Sequence, residues 1–175
     1  MHPIANVCRG AIKFPMENSS HTEAKRALGL DERPTFSVVI IYQDRDTGRR
    51  AKYFYDKMTH EVDEECDFSL KLWNFEMLEI PEMRDSSAEA AAQADFLVLS
   101  FRGNAELPVQ TRYWIERWSR LSADGNPALV ALVEKPKTGR GTAVSTLAYL
   151  RSVAAKKGIA FSSITFSAAT NKVSD

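Results

Sequence analysis

Five short apolar runs, at residues 36–42, 68–75, 96–101, 128–133 and 159–166, alternate with stretches whose apolar residues recur every three or four positions. A period that switches repeatedly between strand-like and helix-like builds β-α units, and such units assemble into a mainly parallel sheet with helices on both faces. The first and third runs, Val38-Val39-Ile40-Ile41 and Phe96-Leu97-Val98-Leu99, are apolar at consecutive positions, as strands buried on both faces require. The second alternates, with Phe68, Leu70 and Leu72 on one face and Ser69, Lys71 and Trp73 on the other, which marks an edge strand. With right-handed crossovers these features predict a three-layer α/β/α domain, its five mainly parallel strands in the order 2-1-3-4-5.

The helical stretches follow from the same pattern. Helix one is expected over 47–62, with Asp46 as its cap and Ala51, Phe54, Tyr55, Met58 and Val62 forming one buried stripe. A second begins at Pro81, or restarts at Ser86-Ser87-Ala88-Glu89, and ends near Ala94. A third opens at Pro108 and turns Trp114, Ile115, Trp118 and Leu121 inward. A fourth spans 142–157 with Val144, Leu147, Leu150 and Val153 inward, and Gly158 stops it.

Residues 36–167 thus form the α/β domain, and 168–175 a polar tail. Residues 1–35 read as an extension with a short helix, since Ser20-His21-Thr22-Glu23 has capping-box spacing and Gly29 is a stop. That extension is either a free tail or packs Leu28 and Leu30 on the domain.

Charge and cysteine usage narrow the function classes. The 175 residues carry 23 basic and 23 acidic side chains, so no bulk field draws nucleic acid or an anionic membrane, and neither is expected as a partner. Cys8 and Cys66 show no CxxC spacing, and His2, His21 and His60 lie too far apart for a zinc pattern. No metal site is expected, and the thiols read as reduced and cytoplasmic. The start of the chain never reaches an apolar core of signal-peptide length.

In α/β sheets of this kind ligands sit at the carboxyl ends of the strands. The loop after strand one is Gln43-Asp44-Arg45-Asp46-Thr47-Gly48-Arg49, and the loop after strand three contains Arg102, Gly103 and Asn104. The loop after strand four supplies Lys135, Lys137, Gly139, Arg140, Gly141 and Thr142. There, three cations, two turn-forming glycines and a helix-opening threonine suit an anion, although the spacing is not that of a P-loop. A solvated basic loop with a capping threonine explains the same residues. No Ser-His-Asp or Cys-His grouping has a local signature, so no catalytic residue is assigned. The acidic residues from Glu61 to Asp67 read as a solvated loop, and Trp73, Trp114 and Trp118 as core or partner-facing aromatics.

The stretch from Ile40-Ile41-Tyr42 to Thr47-Gly48, with Ala94-Asp95-Phe96-Leu97-Val98-Leu99-Ser100 and Leu107-Pro108, resembles flavodoxins and related FMN reductases. The resemblance implies the flavodoxin-like fold and FMN as cofactor. It places the flavin phosphate in the loop after strand one and the isoalloxazine against the loop after strand three. Thr47, Gly48 and Ser100 match that pattern. Asp44 and Asp46 depart from it, because carboxylates facing a phosphate repel it unless Arg45 or Arg49 compensates. The chain also resembles response-regulator receiver domains, with Asp44 and Asp46 standing for the acidic pair that holds magnesium. Ser100 stands where the phospho-accepting aspartate belongs, Val133-Glu134 where a hydroxyl belongs, and 165–167 offer no lysine.

Together these observations favour a soluble, non-catalytic flavodoxin-like or receiver-like domain that acts through protein contacts, with a protein partner or a second copy of the chain. A flavin- or nucleotide-binding protein, an oxidoreductase among them, is the alternative. The anion or cofactor residues on that reading are Thr47, Gly48, Ser100, Arg102, Asn104, Lys137, Gly139, Arg140, Gly141 and Thr142.

Overall fold

The computed structural model describes residues 34–61, 66–123, 127–136 and 143–167. They form β1 (Thr35–Tyr42), α1 (Arg45–His60), β2 (Asp67–Asn74), a 3-10 turn (Phe75–Glu79), α2 (Pro81–Ala92), β3 (Phe96–Arg102), α3 (Val109–Leu121), β4 (Ala128–Glu134), α4 (Ala143–Lys157) and β5 (Phe161–Phe166). The five strands are all parallel in the order β2-β1-β3-β4-β5, the predicted flavodoxin-like topology. The extension before Pro34 and the tail after Ser167 lie outside the described residues. No described helix is long and apolar enough to cross a membrane.

Two apolar layers sandwich the sheet. Val39, Ile41, Leu97, Leu99, Phe101, Leu129, Ala131 and Val133 face α2, α3 and α4. Val38, Ile40, Phe96, Val98, Val130 and Leu132 face the other way, toward α1 with its buried Ala51, Phe54 and Met58. Successive side chains of a strand point to opposite faces, so strands apolar at every position belong in the middle, where both faces are covered. Trp114 and Trp118 stack at 6.2 Å under the first layer, and the Trp114 indole N–H donates to the Ser87 hydroxyl at 2.8 Å. At the amino ends of the strands Asp95 locks β3 to β1, accepting from the Ser37 amide at 2.8 Å and the Ser37 hydroxyl at 3.0 Å.

Several local expectations are corrected. The cap of α1 is Asp44, not Asp46: its carboxylate accepts from the Asp46 and Thr47 amides while the Thr47 hydroxyl accepts from the Asp44 amide, a reciprocal capping box. The helix therefore starts two residues earlier than expected, and Val62 lies outside the described residues. Helix two is continuous from Pro81, with no restart at Ser86. Leu121 and Val144 are exposed rather than inward: the last turn of α3 turns Trp118 to the core and the first turn of α4 turns Ala143 and Thr146 inward instead. Trp73, on the face of β2 read as outward, packs against the first layer. Ile159 precedes β5 instead of opening it. Its amide donates to the Ala154 carbonyl and that of Gly158 to Ala155, a Schellman closure of α4 that requires the left-handed φ of 65° at Gly158.

Candidate functional site at the strand carboxyl ends

Even-numbered residues of β3 and β4 face α1, which brings Arg102 and Glu134 to the carboxyl ends of adjacent strands on the same side as the first turn of that helix. The Arg102 Nε donates to Asp44 Oδ2 at 2.6 Å, and its Nη2 to Asp46 Oδ2 at 3.1 Å. Its Nη1 lies 3.7 Å from Glu134 Oε1. Arg50, one turn into the same helix, donates to Glu134 Oε2 at 2.9 Å and rests over the Phe166 ring at 5.6 Å. The Arg50–Glu134 side chains are only 17% and 11% exposed, so this pair is shielded from solvent where most surface pairs are not. The backbone joins the same lattice: the Arg102 amide donates to Gln43 Oε1 at 2.8 Å, and the Gly103 amide to the Glu134 carbonyl at 2.8 Å.

The charges are in near balance, three carboxylates (Asp44, Asp46, Glu134) against two guanidiniums (Arg50, Arg102), leaving one excess negative charge. Partial burial pushes the Asp44 carboxyl up, but the Arg102 bond and the Thr47 and Asp46 amides outweigh it and hold the group below its ordinary 3.8. The hydrogen bond to Asp44 raises Arg102 in turn.

This arrangement decides how the flavodoxin-like residues are used. A helix N-terminus is an anion site because its first amides point outward unpaired. At α1 those amides already bind the Asp44 carboxylate, and the nearest cation already binds it too. An FMN phosphate therefore does not fit there without displacing a side-chain anion of the chain itself. Thr47 is fully buried, its hydroxyl engaged with the Asp44 backbone at 2.8 and 2.9 Å. Ser100, 1% exposed, donates its hydroxyl to the Thr47 carbonyl at 2.9 Å, tying the end of β3 to the first turn of α1. Gly48 makes room for an aromatic ring: a Cβ there would sit 2.7 Å from Cδ2 of Tyr42. Arg102 is the member of the predicted set that organises the site, while Asn104 is exposed in the following turn. Lys137, Gly139, Arg140, Gly141 and Thr142 lie outside the described residues.

Beside this network, on its β2 side, lies an open cleft of about 380 Å³ lined by Tyr42, Gln43, Arg45, Arg49, Leu72 and Asn74 among others. Arg45 and Arg49, one helical turn apart, form no ion pair among the described residues. In the most shielded ion pair of the site, Arg50 was not singled out from sequence, and Glu134 was named only as standing where a receiver domain has a hydroxyl. They stand 84 residues apart, and only the finished sheet joins them.

No protein-family model matches the sequence. No curated protein matches it. Among solved structures the chain is similar to the Trp repressor binding protein from Bacillus subtilis, at 9% sequence identity and a TM-score of 0.49, over 75% of this chain and 85% of that one.

Proposed function

We propose that the protein is a non-catalytic flavodoxin-like domain of the cytoplasm that works by binding another polypeptide chain, through edge strand β2 and the turn that follows it. The observation that carries this reading is the set of large apolar side chains left in solvent on β2, the turn and the start of α2: Leu72 at 42%, Met77 at 39%, Ile80 at 50% and Met83 at 46% exposed. An edge strand also presents unpaired backbone donors and acceptors, so apolar and polar contacts are available side by side. The ion pairs at the strand carboxyl ends support the same reading, since side chains of the protein take the anion and cation positions that a cofactor would use.

The test is association of the full chain in solution, by sedimentation velocity, together with photocrosslinking from Ile80 in cell extract. A stable complex, with a second copy or another protein, that is lost in Leu72→Glu combined with Ile80→Glu is the expected result. A strict monomer that crosslinks to nothing contradicts the proposal.

A second reading is favoured by one observation, Arg45 and Arg49, which form no ion pair among the described residues, on the wall of a cleft that Tyr42, Asp44 and Glu76 also line. An anionic ligand with an aromatic or apolar portion, such as a nucleotide, suits those groups better than it suits the helix N-terminus. Nucleotide titration, comparing the wild type with Arg45→Ala combined with Arg49→Ala, separates this reading from the first.

A further inference from the structure

β2 closes one end of the sheet, and among the described residues β1 is its only strand partner. The Asp67 amide donates to the Pro34 carbonyl at 3.0 Å, which points it toward β1. Backbone groups alternate sides along a strand, so Ser69 and Lys71 bond toward β1 as well. Phe68, Leu70 and Leu72 then turn their N–H and C=O groups outward, where no described strand meets them. Such a row of donors and acceptors is a template for one more strand.

The side chains of this edge divide by face. Phe68 and Leu70 lie half-buried on the α1 face, packed against its apolar layer. Asp67, Ser69 and Lys71 lie on the other face and are exposed. Asp67 and Lys71 form no ion pair among the described residues. Four residues of extended strand set their Cα atoms about 13 Å apart. Side chains that stand upright on a sheet do not span that distance, so within one chain the two charges stay apart.

We infer that the chain bound at this edge is a second copy, paired antiparallel through β2 about a twofold axis at Ser69; the inference rests on the binding role proposed above for the β2 edge. Two copies of one edge strand form a closed pair only when antiparallel, and facing side chains share a face, so the axis passes through a residue. With the axis at Ser69, Asp67 stands opposite the second copy's Lys71, and Lys71 opposite its Asp67. Phe68 stands opposite Leu70, where the outward backbone groups of both exchange hydrogen bonds. The charged pairs fall at the other type of position, where side chains approach more closely. An axis at Lys71 would set two ammonium groups against each other. One at Leu70 would leave Asp67 opposite Trp73 and Lys71 opposite Ser69. Only the Ser69 register offsets both charges. A lysine on an edge strand ordinarily blocks edge-to-edge pairing. Here Asp67 admits one register past that block, and the apolar face of Phe68 and Leu70 continues from one sheet into the next.

The test treats the full chain, an equal mixture of unlabelled and isotope-labelled protein, with a zero-length carbodiimide and maps the products by mass spectrometry. The expected product is an amide that joins Asp67 to Lys71 in peptide pairs of mixed label. A crosslinked dimer without that amide overturns the inference. Sedimentation equilibrium of charge-reversed variants is the second measurement. Asp67→Lys and Lys71→Asp should each weaken self-association about tenfold or more, since symmetry sets like charges together at both ends of the pair. The two changes combined should restore it to within about threefold of the wild type. Self-association indifferent to either single reversal overturns the inference. A monomer whose Ile80 crosslinks to a different protein overturns it too, and leaves the binding role of the β2 edge standing. A strict monomer that crosslinks to nothing overturns both.

Discussion

The Arg102 guanidinium stands 2.6 Å from the Asp44 carboxylate, which also caps α1, so one ion pair joins the end of β3 to the start of the helix that follows β1. The two side chains are 33% and 37% exposed, so solvent screens much of their attraction. A double-mutant cycle of Arg102→Ala with Asp44→Ala, read by chemical denaturation, should give a coupling of about 0.5–1 kcal/mol. A coupling near zero would mean that the pair is only a surface contact.

Asp44 is a cap and an anion at once, and a serine separates the two roles. Asp44→Ser keeps a capping oxygen for the Thr47 amide, so the fold should lose little. It removes the carboxylate and leaves the Arg102 Nε and the Asp46 amide without that acceptor. Phosphate should then raise the melting temperature of the variant by mass action and leave that of the wild type unmoved.

Acid should weaken the fold through the same residue. Because the Asp44 carboxyl is held below its ordinary 3.8 in the folded protein, the unfolded chain binds the proton more readily. The stabilisation is complete above that ordinary value and is lost as pH falls through the lower, folded value. Denaturation midpoints followed from neutral pH to about pH 3 should drop less steeply in Asp44→Asn than in the wild type. Parallel curves would assign the acid loss to other carboxylates.

Gly48 tests whether the glycine after strand one serves packing or a ligand. Its missing Cβ would lie 2.7 Å from the Tyr42 ring, so Gly48→Ala should cost about 1–3 kcal/mol through overpacking. Adding Tyr42→Leu should recover part of that loss. If Gly48→Ala is neutral, the ring yields and the close approach carries no constraint.

The sheet was legible because burial on one or both faces leaves a direct mark on strand sequence. Val38 to Ile41 and Phe96 to Leu99 are apolar at every position and lie inside, while β2 alternates and lies at the edge. Helix ends were read less well, since period alone cannot tell where a stripe such as Val144 to Val153 leaves the sheet. Asp44 and Asp46 are equally good caps by residue type, and the choice between them was made by Thr47 closing the reciprocal bond. Thr47 and Ser100 resembled ligand groups because a hydroxyl at a strand end suits a phosphate and a backbone carbonyl alike. Arg102 was expected at the site, but its lattice with Arg50 and Glu134 left no local signal, because the three meet only when two strands and one helix are assembled.

The protein's own ion pairs fill the strand carboxyl ends, and titration of FMN with the 175-residue chain tests this directly. FMN fluorescence should stay unquenched across the titration, and the melting temperature should not move with added FMN. Saturable quenching by the wild type, abolished by Arg102→Ala, would contradict the account and return the site to a flavin.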